Sequence, residues 1–169
     1  MRDAFFCETL VDYLKANGRN VPDSLLNGEA PVTHKGPHGK PYFSDSELSG
    51  VFFSLSHTKG HNLLCFSNAE IGADCENIKA RPGIETRLKA IARRCFTEDE
   101  QAYVAPAEGG AVLRFFEIWT AKEAYMKYTG KGFSQGFRSF SALNLPDVEI
   151  ETGPAPGAPD IVYSVCMKR

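Results

Sequence analysis

The sequence predicts an α+β fold made of two lobes, and three observations lead there. Each half combines a helical stretch with a few strand-like runs, the runs in the middle of the chain follow one another at the spacing of an antiparallel meander, and a turn at Asn68-Ala69 separates the halves. We therefore expect an N-terminal lobe over residues 1–68 and a C-terminal lobe over residues 69–169. Each should be a small antiparallel sheet with a packed helix.

The elements follow from local pattern. Phe6, Leu10, Tyr13 and Leu14 repeat at helical spacing and Asn17-Gly18 supplies a stop, which predicts a helix from about Ala4 to Ala16. From Arg19 to Gly50 the chain is rich in Pro, Gly, Asn and Ser and reads as a long functional loop. Val51–Leu55, His61–Ser67 and Ile71–Glu76 read as strands. Ile84–Arg94 has helical periodicity, and Thr97-Glu98-Asp99-Glu100 matches a capping box that opens a short helix. Pro106, Gly109 and Gly110 end it. A long helix from about Ala111 to Tyr128 is stopped by Thr129-Gly130, and strands are expected near Phe137–Leu145 and Ile161–Met167 with a Pro- and Gly-rich connection, Pro146–Asp160, between them.

Composition narrows the function classes. The chain has 169 residues, 43% hydrophobic and 24% charged, with a net charge of −2, the profile of a globular protein that folds alone. Lys and Arg are dispersed among acidic residues, so nucleic acid is not an expected partner. No run approaches the roughly 20 apolar residues of a membrane span, and Met1-Arg2-Asp3 leads into an amphipathic run rather than a signal peptide. A cytoplasmic, monomeric protein is the expectation. Cys7, Cys65, Cys75, Cys95 and Cys166 are odd in number, widely separated and without a C-x-x-C pair, which favours reduced, mostly buried thiols over disulfides or a zinc knuckle.

Chemistry concentrates in two short runs. In Ile71-Gly72-Ala73-Asp74-Cys75-Glu76 the period of a strand puts Asp74 and Glu76 on one face. In Trp119-Thr120-Ala121-Lys122-Glu123-Ala124-Tyr125-Met126-Lys127, a step of roughly 100° per residue places Glu123 near the middle of an apolar stripe of Val112, Phe116, Trp119 and Met126, with Lys127 at its edge. An ionised carboxylate in such a stripe needs a partner or a metal. The other reading is a helix end where Glu123 pairs with Lys127 at i, i+4, a contact of about 0.2–0.5 kcal/mol. Oxygen ligands without a His and Cys cluster suit a hard cation such as Mg²⁺, which commonly binds carboxylates together with substrate phosphates.

Three further motifs have weaker readings. Ser56-His57 is not placed like a nucleophile and its base, because adjacent residues at a strand end diverge and no acid stands ready to orient the imidazole. Hydroxyl and imidazole suit a phosphate, or else a capping serine beside a satisfied histidine. Gly130-Lys131-Gly132 lacks the spacing of a phosphate-cradling Walker loop, and Lys40-Pro41 reads equally well as a loop lysine.

Taken in order, Gly39-Lys40-Pro41, Phe53-Ser54-Leu55-Ser56-His57, Ile71 to Glu76, Cys95-Phe96-Thr97-Glu98-Asp99-Glu100, Trp119 to Lys127 and Gly130-Lys131-Gly132-Phe133 resemble the 4′-phosphopantetheinyl transferases. They are most like the larger Sfp type, whose chain holds two pseudosymmetric lobes with the active site between them. That resemblance implies transfer of 4′-phosphopantetheine from coenzyme A to a serine of an apo acyl or peptidyl carrier protein, with release of 3′,5′-ADP. It implies that Asp74, Glu76 and Glu123 coordinate Mg²⁺, that Lys40, Pro41, Ser56 and His57 hold coenzyme A, and that Glu123 assists deprotonation of the serine. Lys127 then stabilises the developing charge or protonates the leaving group. The first lobe is short for the Sfp type, and Arg19, Lys35 and His38 stand in for its N-terminal basic residues. Two competing expectations are a non-catalytic carrier-protein or coenzyme A binding module and a metal-dependent phosphodiesterase.

Overall fold

The computed structural model describes residues 2–78, 82–105 and 110–169. Helix α1 (Arg2–Ala16) buries Cys7, Leu10 and Leu14, one side at i, i+3 and i+7, against Leu25, Leu48 and Val51. The segment expected to be a loop contains a one-turn helix α2 (Asp23–Leu26) and a hairpin of β1 (Thr33–Lys35) and β2 (Pro41–Phe43). The hairpin escapes a periodicity reading because each strand has only three residues. Strands β3 (Phe52–Thr58) and β4 (His61–Ser67) form a second hairpin. Phe6 meets Phe43, Phe53 and Phe66 edge to face between α1 and these strands, and Phe43 and Phe53 pack at a tilt, closing the core of the first lobe.

The second lobe is a three-stranded antiparallel sheet in the order β5-β7-β6, with β5 (Ile71–Asn77), β6 (Val148–Ala155) and β7 (Ala158–Lys168). Helix α3 (Ile84–Cys95), helix α4 (Glu98–Val104) and helix α5 (Ala111–Thr129) complete it. The mixed α+β architecture in two lobes agrees with the expectation, and the capping box at Thr97 is present. The expected strand near Phe137–Leu145 is instead a short 3-10 turn, Phe137–Ser139, and irregular chain. The strand lies in the stretch read as a connection. Strand β6 tolerates Pro154 because it is the outer strand, where a missing N–H removes no ladder bond. Of the expected breakers after α4, Pro106 and Gly109 lie outside the described residues, and Gly110 precedes α5.

The meander expectation also needs correction, since β5 pairs with β7 and not with β4. Strand β5 instead meets β3 edge to edge. Ser54 Oγ accepts the Ala73 N–H at 2.8 Å and Ser56 Oγ accepts the Cys75 N–H at 3.3 Å. Two serine hydroxyls thus do the work of strand carbonyls. The constant offset of 19 residues means the two strands run in the same direction.

Helix α5 crosses the sheet directly over Gly72. A Cβ at that position would overlap the Ala124 carbonyl oxygen and the Tyr128 backbone nitrogen, so only a residue without a side chain lets the helix lie this close. The buried stripe of α5 keeps Met126 of the expected one but is otherwise displaced from it. Ala111, Phe115, Ile118 and Lys122 are buried, whereas Phe116, Trp119 and Glu123 are half-buried. The charge inside the core is Lys122. Its Nζ donates to Glu100 Oε1 and Oε2 at 2.7 and 2.8 Å and to the Phe140 carbonyl at 2.6 Å, with both ion-pair side chains 0% exposed. Glu100 also accepts the Thr97 and Ala142 N–H groups. Every donor of the ammonium is used, which is the condition under which a buried pair is tolerated.

Gly72→Ala should lower stability by at least about 1–3 kcal/mol through overpacking against rigid backbone, read as a fall in the urea midpoint. Lys122→Met leaves Glu100 as an uncompensated buried carboxylate and should cost about 3–5 kcal/mol. The double variant Lys122→Met/Glu100→Gln should recover part of that loss in the same titration.

Candidate active site

The crossing of α5 over β5 assembles the site. Gly72, Asp74 and Glu76 share the strand face under the helix, and from between Ala124 and Tyr128, which meet Gly72, Lys127 reaches down to Asp74. Lys127 Nζ donates to Asp74 Oδ1 at 2.8 Å and to the Ala73 carbonyl at 2.9 Å. Ser56 Oγ donates to the same Asp74 Oδ1 at 2.7 Å. Asp74 is only 6% exposed, and its second oxygen, Oδ2, is buried without a hydrogen-bond partner.

Beside this cluster opens a cavity of ≈ 730 Å³. Lys40, Pro41, His57, Glu123 and Lys127 all line it, together with Lys35, His38, Leu55 and the glycines of the Gly130-Lys131-Gly132 turn. Five positions singled out from separate sequence segments therefore meet on one wall. Ser56 contributes to the site from behind, with its hydroxyl turned to Asp74 and Cys75. Arg19 lies elsewhere, donating to the Ser49 carbonyl. Glu76 opens onto two other depressions, one of ≈ 280 Å³ shared with Arg87, Phe116 and Trp119 and one of ≈ 1000 Å³ shared with the β3–β4 and β6–β7 turns.

Lys40 has a role that sequence did not suggest. Its Nζ pairs with Glu70 and donates to the Ile71 carbonyl at 3.1 Å and the Tyr128 carbonyl at 3.0 Å. All three donors are engaged, so Lys40 ties the loop before β2 to the start of β5 and to the end of α5, where it satisfies a terminal helix carbonyl. Gly130 enters the left-handed region with φ of 66°, ending α5 against the Lys40 and Tyr42 side chains.

The electrostatics mark Glu123. Burial, reinforced by the negative charges of Asp74 and Glu76, pushes its carboxyl up to about 7, while Lys127 opposes the rise. Glu76 is raised as well, by burial first and then by Asp74. Asp74, Glu76 and Glu123 lie near enough to repel one another electrostatically and offer only oxygen, and Asp74 Oδ2 is a buried acceptor with nothing to accept from. That chemistry fits a hard divalent cation. Among the described residues no three His, Cys, Asp or Glu side chains are gathered closely enough to hold a metal ion as they stand. No disulfide joins Cys7, Cys65, Cys75, Cys95 or Cys166. Burial pushes Cys65 to about 11 and Cys166 to about 12, which makes these two poor nucleophiles.

Comparison with known proteins adds the family. The profile of the 4′-phosphopantetheinyl transferase superfamily matches residues 70–166, a stretch holding β5, α5 and every acidic candidate. The chain belongs to that superfamily. Among curated 4′-phosphopantetheinyl transferases, HetI of Nostoc sp. is 34% identical over 151 residues, covering 82% of this chain and 61% of HetI. The transferase psf-1 of Bacillus pumilus is 37% identical over 123 residues, 66% of this chain and 49% of its own. Sfp of Bacillus subtilis is 32% identical over 121 residues, 65% of this chain and 50% of Sfp. The chain therefore spans about half the length of the transferases it matches. None of its described helices is long and apolar enough to cross a membrane.

The raised carboxyls set a pH dependence. A folded-state Glu123 near 7, above its ordinary 4.5, keeps its proton while the unfolded chain loses it, so stability of the metal-free protein should fall as pH rises from 4.5 to about 7 and then level. Melting temperatures across that window should decline for the native chain and flatten in Glu123→Gln. Millimolar Mg²⁺ should lift the high-pH end most.

Proposed function

We propose that this protein transfers the 4′-phosphopantetheine group of coenzyme A to a serine of an apo acyl or peptidyl carrier protein, with Mg²⁺, releasing 3′,5′-ADP. The observation that supports it most is Asp74 Oδ2, a buried carboxylate oxygen with no partner, set beside Glu123 and Lys127 at the edge of a large basic-walled cavity. Membership in the superfamily gives that constellation its reaction.

In this reading Asp74, Glu76 and Glu123 hold Mg²⁺, which supplies charge neutralisation at the coenzyme A pyrophosphate. The chain's own groups do the rest. Lys35, His38 and His57 give the cavity wall its positive and hydrogen-bonding character toward the nucleotide phosphates, and Pro41 borders the same space. Lys40 borders it as well, with its ammonium engaged by Glu70 and two carbonyls. Glu123 receives the proton of the carrier serine, directly or through a water. The serine oxygen then bonds to the β-phosphorus as the bond from that phosphorus to the bridging pyrophosphate oxygen breaks, and the electron pair of the broken bond leaves on that bridging oxygen as part of 3′,5′-ADP. Lys127 keeps one N–H beyond its bonds to Ala73 and Asp74, available to the charge on the leaving group. Alignment and charge stabilisation are the main requirements of such a transfer.

We further assign residues 1–68 and 69–169 to the two lobes, which the separate apolar clusters around Leu10 and around Phe115 and Cys166 support. A monomer acting in the cytoplasm, where coenzyme A and reduced thiols coexist, completes the reading.

The test is incubation with an apo carrier domain, coenzyme A and Mg²⁺, followed by intact-mass measurement of the carrier. A phosphopantetheine mass increment that disappears on chelation is expected. Glu76→Ala and Glu123→Gln should remove it while circular dichroism stays native. Native-level turnover by either variant would sink the metal assignment, and nucleotide release without a carrier would point to hydrolysis instead.

A further inference from the structure

We propose that Ser56 is a positioning residue that acts through Asp74, holding its carboxylate in the orientation that turns the undonated oxygen toward the cation, and is not a ligand of the coenzyme A phosphates. This rests on the reading of Asp74 as part of a divalent-cation centre.

The hydroxyl's bonding capacity decides the matter. A serine has one proton to give, and Ser56 gives it to Asp74 Oδ1 at 2.7 Å, while its oxygen accepts the Cys75 N–H at 3.3 Å. A phosphate oxygen needs donors, and Ser56 has none left. Its place in the fold agrees. The hydroxyl is buried, with Ser56 only 6% exposed, and its neighbours Leu55 and His57 line the cavity while Ser56 does not.

The consequence falls on Asp74. Ser56 and Lys127 both donate to Oδ1, and two donors on one oxygen hold the carboxylate against rotation about its last bond. Oδ2 is left buried and without a donor. A part-way rotation would strand both donors, so the pair of bonds fixes the orientation of the carboxylate and hence the direction in which its other oxygen is presented. Because Ser56 also spans the β3–β5 joint, the same hydroxyl sets the position of the first lobe and the orientation of the carboxylate.

Ser54 provides a matched comparison. Its hydroxyl makes the equivalent joint contact, to the Ala73 N–H, and that contact does not involve Asp74. Ser54→Ala and Ser56→Ala each leave one β5 N–H without its acceptor, and only the second frees Asp74. Mn²⁺ binding, followed by loss of the free-ion electron paramagnetic resonance signal in the absence of coenzyme A and carrier, separates the two. Ser56→Ala should weaken Mn²⁺ by about tenfold to a hundredfold, the usual effect of losing a group that orients a ligand, and Ser54→Ala should leave it within about twofold of the native value by the same reasoning. Calorimetric binding of coenzyme A without metal should be unchanged in Ser56→Ala. Equal weakening of Mn²⁺ in both variants would overturn the proposal, as would loss of coenzyme A affinity with Mn²⁺ binding intact. Absence of Mn²⁺ binding by the native chain would overturn it together with the metal centre. A native chain that binds Mn²⁺ and shows the expected contrast, yet modifies no carrier, would leave this inference standing and refute the transferase reading alone.

Discussion

The absence of a side chain at residue 72 sets the geometry of the second lobe. Because Gly72 lets the backbone of α5 rest on β5, residues one position before and three after Ala124 come within reach of the strand's acidic face. Glu123 and Lys127 are those residues. At ordinary helix-on-sheet separation, roughly 10 Å, the Lys127 ammonium would have to extend farther to donate to both the Ala73 carbonyl and Asp74. Close approach by backbone thus substitutes for reach by side chain.

Two lysines hold that arrangement from opposite sides, and neither stands free in the cavity. Lys122 fastens α5 to α4 and to the segment after the helix through Glu100, Phe140 and the fully satisfied carboxylate network. Lys40 fastens the far end of α5 to the loop before β2 and to the start of β5. Between these clamps lies the stretch of α5 from Glu123 to Lys127. The Glu123 carboxyl is consequently held where burial and two neighbouring carboxylates raise it toward neutrality, and it cannot relax outward into water at no cost.

Much of this was legible from residues alone, for identifiable reasons. The strand period put Asp74 and Glu76 on one face, and the ordered motifs led to the family that the profile match shows. The reading failed where a side chain's commitment depends on a distant partner. Nothing near Lys40 in the chain announces Glu70 or the Tyr128 carbonyl, and the capping-box reading of Glu100 could not disclose that its remaining bonds go to Lys122 and Ala142. Of the expected apolar stripe of α5, Met126 is buried, whereas Val112, Phe116 and Trp119 are half-buried beside the buried Ala111, Phe115 and Ile118. Trp119 and Phe116 look like core residues but border a groove beside Glu76. Strand β6 was missed because proline and glycine signal turns unless the strand is known to be outermost.

That outermost position has a consequence for the protein's behaviour in concentrated solution. One border of the β5-β7-β6 sheet is closed by the serine hydroxyls of β3, which leaves β6 as the exposed rim. There Pro154 offers no amide hydrogen, a register irregularity follows it, and Glu149 and Glu151 project charge. Such a rim is a poor template for adding a strand from another molecule, so the sheet terminates where it stands and self-assembly into fibrils is disfavoured.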